Sequence, residues 1–88
     1  MAKAPVIYVD DAKNRFHNMV MSHLFVIPHH CKSALDRFAT RLGLSLLDKH
    51  NQHYDVSQSK RKLAIRLGAI PIGQKQGAKL RLEDYKND

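Results

Sequence analysis

Two stretches of this chain stop in the same way. Phe38-Ala-Thr-Arg-Leu-Gly43 and Leu63-Ala-Ile-Arg-Leu-Gly68 align residue for residue, and an apolar run follows each at once. In the first, Leu35, Phe38, Ala39 and Leu42 recur at i, i+3, i+4 and i+7, the period of an amphipathic helix, with glycine where a helix needs a left-handed residue to end. In the second, Leu63, Ala64 and Leu67 line an inner face ahead of Gly68, and Ser57 and Ser59 are candidate N-caps. Two successive helix-then-strand units confine so short a chain to a small α/β layer with right-handed crossovers. Generic helix endings produce the same match, so it does not imply duplication.

The remaining punctuation comes from proline and aspartate. Residues 6–10, Val-Ile-Tyr-Val-Asp, read as a strand behind Pro5, and residues 23–27 as a second strand stopped by Pro28. Between them, residues 11–21 show no period and read as a long loop. Residues 44–47 read as a short strand, and residues 69–72 as a last one at an edge, because Pro71 has no N–H for a ladder. The expected fold is α/β, with three to four strands in a mostly parallel or mixed sheet and two helices, a single pair of layers. Residues 1–72 form the domain. Residues 73–88 read as a tail, basic and then acidic, partly flexible.

A chain of 88 residues buries only roughly 60–65% of the surface its unfolded form exposes, so it has one modest core and no deep private cavity. Its 43% apolar and 26% charged residues are those of a globular domain. Cys31 stands alone, which excludes a disulfide framework and a CxxC zinc site and fits a reducing compartment. No apolar run approaches the ~18 residues of a membrane span, and the polar start is no signal segment, so the expected location is the cytoplasm, without membrane.

The net charge of +7 is concentrated. Residues 1–55 carry seven cations against five acids, whereas residues 56–81 carry seven cations and no acid. A field of one sign over one compact segment favours anionic partners: nucleic acid, a nucleotide or an acidic protein surface. A phosphate would suit the start of the second helix, with its free N–H groups, the hydroxyls of Ser57 and Ser59, and the charges of Lys60, Arg61 and Arg66.

Three polar clusters can carry chemistry: Asp10-Asp11, Ser22-His23 and His53-Tyr54-Asp55. Aspartates and histidines hold divalent cations or serve as acid and base, which makes Asp10, His23, His53 and Asp55 the acid/base candidates and Asp10, Asp11 and His23 the metal candidates. Their convergence depends on the third strand. With that strand at residues 44–47, the preferred reading, His53 lies in a loop beside the second helix; with residues 53–56 as the strand, His53 moves to the end shared by Asp10 and His23.

The series Val6-Ile-Tyr-Val-Asp-Asp11, Ser22-His23-Leu24, His53-Tyr-Asp-Val56, Ser59-Lys-Arg61 and Leu67-Gly-Ala69 resembles a small family of actinobacterial and bacteriophage proteins catalogued as a domain of unknown function. The resemblance spans about residues 6–72, with Asp10, Asp11, Ser22, His23, His53, Tyr54, Asp55, Arg61 and Gly68 at its motif positions. It implies a compact intracellular domain, often phage-borne, with no activity to carry over. The chain departs from the family in a shorter stretch before His53 and in Ser57, where proline is usual.

Three functions follow as expectations. The first is a module binding a phosphate-bearing ligand through the basic second helix. The second is a metal-dependent phosphoesterase or nuclease using the Asp/His cluster with a divalent ion. The third is a phage effector that binds an acidic host protein without catalysis. A short sheet with exposed edges also suits a homodimer.

Overall fold

The computed structural model describes residues 4–87; residues 1–3 of the expected domain and Asp88 of the tail lie outside them. The described residues form an α/β fold with a mixed sheet of six strands and three helices. In chain order these are β1 (Val6–Val9), β2 (Asn14–Phe16), β3 (Met19–Ile27), α1 (Lys32–Arg41), β4 (Lys49–His50), β5 (His53–Ser57), α2 (Gln58–Arg66), β6 (Ile70–Pro71) and α3 (Gln74–Lys86).

β3 is the nine-residue spine of the sheet, and the order is β4-β5-β3-β1-β6. β1 and β2 follow one another along one edge of β3, both antiparallel to it, and β5 runs antiparallel along the other. Only β6 pairs in parallel, with β1, so the sheet is mixed and mainly antiparallel rather than mostly parallel. The expected loop at residues 11–21 is therefore largely a hairpin. β2 turns through His17, whose φ of 56° reverses the chain, into an early start of β3. Pro71 sits on an edge strand, where its missing N–H costs nothing.

Alternation along the strands sorts the residues onto two faces. Val9, Leu24, Val26, Tyr54 and Val56 point to one side and form the core with Leu35, Phe38, Ala39 and Leu42 around α1 and with Ala64 of α2. Both helices end alike. Gly43 (φ 81°) and Gly68 (φ 113°) take the left-handed conformation, and Leu44 N–H reaches Ala39 O as Ala69 N–H reaches Ala64 O. The internal repeat is thus one helix-stopping motif used twice. Tyr8, His23, Phe25, His53 and Asp55 occupy the other face, and α3 covers it. The single layer pair thus becomes helices on both faces, and residues 74–86 of the tail form the third helix.

Two polar bonds to one carboxylate oxygen stitch α1 to the sheet. The buried Tyr54 donates its hydroxyl to Asp36 Oδ1 at 2.7 Å, and Lys49 Nζ donates to the same oxygen at 2.9 Å. The Lys49 and Tyr54 bonds hold the Asp36 carboxyl below its ordinary 3.8, against the opposing effect of burial. A depressed folded-state value stabilises the fold above the unfolded value and is lost as pH falls through the folded one. Asp36→Asn should therefore cost about 1 kcal/mol at neutral pH, a discounted figure because the carboxylate is 35% exposed. In urea denaturation measured across pH, the gap from wild type should close as the pH drops below 3.8.

Candidate metal centre

At the end of β1 the ladder with β3 changes character. Asp10 N–H donates to His23 O at 3.0 Å, as the register requires, but the return bond from His23 N–H goes to the Asp10 carboxylate, Oδ1 at 2.8 Å. The same Oδ1 accepts Ala12 N–H at 3.1 Å, an Asx turn, and Oδ2 accepts from His23 Nδ1 at 2.7 Å. The Asp10 carbonyl is left for Arg61 Nε, at 2.8 Å. Asp10 is fully buried, and burial alone would raise its pKa; the bonds from the His23 side chain, His23 N–H and Ala12 N–H outweigh it and hold the carboxyl below the usual range.

A carboxylate that stays ionised takes the imidazole proton at Nδ1, so His23 presents the lone pair of Nε2. The Asn14 amide nitrogen, on β2, lies 3.2 Å from Nε2 and can donate only to a lone pair there. Cross-strand pairing brings the second half of the site alongside: His23 faces Asp55, and Phe25 faces His53. The His23 and His53 rings meet edge to face at 4.9 Å. His53 Nε2 is 3.4 Å from Asp55 Oδ1, and His50 Nε2, from β4, is 3.1 Å from Asp55 Oδ2. One ligand atom each from His23, His53 and Asp55 all lie within 4.8 Å of one another. Burial holds the His53 ring below the ordinary imidazole value; facing His23, Arg81 and His50 add to this, and Asp55 opposes it. A neutral imidazole is the form that ligates.

The preferred placement of His53 in a loop is corrected by this geometry. Residues 46–48 close a 3-10 turn instead of a strand, because Ser45 Oγ accepts Leu47 N–H and Asp48 Oδ2 accepts Ser45 N–H. His53-Tyr-Asp-Val-Ser57 is the strand itself, alternating polar and apolar.

Other expected site residues go elsewhere. Asp11 leaves the cluster to accept Gln74 N–H at 2.8 Å, at the start of α3. Ser22 faces the core side, where its hydroxyl donates to Ala12 O at 2.7 Å. Ser57 Oγ caps α2 through Lys60 N–H at 3.3 Å and sits 3.2 Å from Ser59 Oγ. Lys60 Nζ donates to Leu42 O at 2.6 Å, Arg61 donates to Asp10 O, and Arg66 is exposed. The cations of α2 nearest its N-terminus are thus bonded to carbonyls.

Residues that sequence reading missed complete the site: Asn14, His50 and, from α3, Arg81, whose guanidinium carbon lies 5.0 Å from the centre of the Phe25 ring. Only the spacing Gly77-x-x-x-Arg81, one helical turn, could have signalled Arg81.

Fold and site together define a small α/β protein whose sheet carries a mixed Asp/His centre on the face opposite its apolar core. The chain belongs to the family described as "Protein of unknown function (DUF4031)", which matches residues 7–83. No curated protein and no solved structure matches the chain. Among the described residues, no helix is long and apolar enough to cross a membrane.

The buried Asp10 carboxylate should dictate the His23 tautomer. In Asp10→Asn the amide oxygen can keep the two backbone N–H bonds, but its NH2 turns toward Nδ1 and drives the imidazole proton to Nε2. Nitrogen-15 NMR of the imidazole near neutral pH should find Nδ1–H in wild type and Nε2–H in the variant, with a stability loss of about 1–3 kcal/mol. A wild-type ring protonated at Nε2 would overturn the assignment.

Proposed function

We propose that the protein is a metal-assisted phosphoesterase acting on a nucleic acid or nucleotide, with a transition-metal ion held by His53, Asp55 and His23 Nε2, where it would take the place of the Asn14 amide. The convergence of these three side chains, with Asp10 fixing the proton on the far side of His23, is the observation that supports this reading. Two imidazoles and one carboxylate suit Zn2+ or Mn2+ rather than Mg2+, which prefers an all-oxygen, largely hydrated shell. Three protein ligands leave positions for water and a phosphoryl oxygen, the pattern of catalytic sites.

Bound by these three side chains, such an ion would supply Lewis-acid chemistry, activating water and polarising the phosphoryl group. Hydrolysis then forms a bond from the water oxygen to phosphorus as the ester P–O bond breaks, and the water's proton ends on the departing alkoxide. Asp10 acts behind His23, holding the ring's orientation and tautomer in the manner of a carboxylate–histidine–metal relay. Asp55 connects the centre to the basic segment, since α2 begins three residues later. With Lys60 and Arg61 bonded to carbonyls and α2 on the core side of the sheet, the exposed Lys75 and Lys79 of α3 are the cations that draw an anionic substrate toward this face.

Calorimetric titration with Zn2+ and Mn2+ should give one site per chain. His53→Ala should weaken it by at least about tenfold and Asp10→Asn by roughly 10- to 100-fold. Hydrolysis of bis(p-nitrophenyl) phosphate should require the metal, stop with chelator and return on its readdition. Metal binding that is unchanged by His53→Ala would refute the centre.

A further inference from the structure

We infer that Arg81 is the anion receptor of this centre, donating from its guanidinium to a phosphoryl oxygen of the substrate; the inference rests on the metal-assisted reading and specifies how that site selects its substrate.

Among the described residues, the Arg81 Nε is the one buried side-chain nitrogen or oxygen without a hydrogen-bond partner. A buried N–H left unpaired in a folded protein costs free energy and calls for a reason. Nearby carboxylates do not supply its partner. Asp84, one turn-step along α3, accepts from His29 N–H and lies against His29 Nδ1. Asp55 lies between His50 and His53, and Asp10 is filled by His23 and Ala12.

The position is set by the backbone. α3 approaches the sheet closely at Gly77, where an added Cβ would stand 3.3 Å from the Phe25 ring. One turn later the Arg81 guanidinium carbon lies 5.0 Å from the centre of the same ring, a cation–π contact that holds the group without using its hydrogens. Phe25 is the cross-strand partner of His53 and stands two residues from His23 on the same face. The guanidinium therefore stands over the ring that pairs with His53, on the face that carries the metal ligands. Arg81 as a whole is partly exposed although its Nε is not, so part of the side chain meets solvent at the rim of the site. A neutral ester offers such a donor a weaker acceptor; a phosphate offers a charged one.

The test is a titration of inorganic phosphate into the full chain, followed at the arginine Nε–H resonances in proton–nitrogen spectra. Arg81→Met keeps the stem on Phe25 and removes the donors; Arg81→Lys keeps the charge and removes the planar fork, and it carries the test should the Met variant not fold. Wild type should bind saturably with a shift of the Arg81 Nε–H. Arg81→Met should bind roughly ten- to a hundredfold more weakly and Arg81→Lys should fall between, both with undiminished Zn2+ binding. Wild-type phosphate affinity in Arg81→Met, or an Arg81 resonance that does not move at saturation, overturns the assignment. Phosphate binding that depends on Arg81 in a protein that takes up no Zn2+ would instead remove the metal reading and leave the receptor standing. p-Nitrophenyl phosphate and bis(p-nitrophenyl) phosphate, compared by the effect of Arg81→Met on KM, distinguish a monoester from a diester as the natural source of the phosphoryl group.

Discussion

A single carboxylate replaces a carbonyl, and much of this small protein is arranged around the exchange. In an antiparallel pair, Asp10 and His23 would trade two backbone bonds. Here the bond back from His23 N–H ends on the Asp10 side chain, which frees the Asp10 carbonyl for Arg61 and lets the carboxylate reach His23 Nδ1 as well. One fully buried residue thus ties β1 to β3, anchors the start of α2, shapes the turn toward β2 through Ala12 and sets the imidazole proton. The desolvation of Asp10 is offset because each oxygen has a donor; removing the carboxylate would strand three N–H groups together. Structure and chemistry depend here on the same three bonds.

A chain of this size cannot hide its site in the core, and it separates the two by sheet face. Tyr54 and Val56 point into the apolar side while His53 and Asp55, their immediate neighbours, point away. The alternation that makes β5 a half-buried strand is therefore also what displays the ligands. α3 then shelters the polar face from solvent without filling it with hydrocarbon. Its inward residues are Gly77, Arg81 and Asp84, which meet Phe25 and His29.

That inward face explains why the helix is hard to read. Apolar residues at helical spacing identify α1, because Leu35, Phe38 and Ala39 are buried together. In α3 the residues at i, i+4 and i+7 are glycine, arginine and aspartate, while Leu82 is exposed and Tyr85 lays its ring on His29 and its hydroxyl on Gln52, so hydrophobic periodicity carries no signal. The α/β class, the edge position of Pro71 and both glycine stops are legible from local chemistry alone. β5 was legible as well, in the period-2 pattern of His53-Tyr-Asp-Val-Ser57, but the apolar residues 44–47 competed for the strand; the pairing of Ser45 with Asp48, three residues apart, was the evidence for a capped turn there. The meeting of His23 with Asp55 belongs to the register between β3 and β5, and no spacing within either strand encodes it.

The basic segment also divides into two populations that composition merges. Lys60 covers the C-terminal end of α1, donating to Leu42 O where the helix dipole is negative and the chain turns at Gly43; Arg61 serves the freed carbonyl of Asp10. These two cations are taken up by backbone acceptors. Lys62 and Arg66 are exposed on the same helix, and Lys75 and Lys79 are exposed on α3. Their field, uncompensated by any acid within residues 56–81, extends over both sides of the sheet, from α2 on the apolar side and from α3 on the polar one. A long-range field of this kind raises the encounter rate for anions but cannot choose among them. Selection requires a short-range donor whose alternative is to remain unpaired, and on this face the Arg81 Nε fills that description.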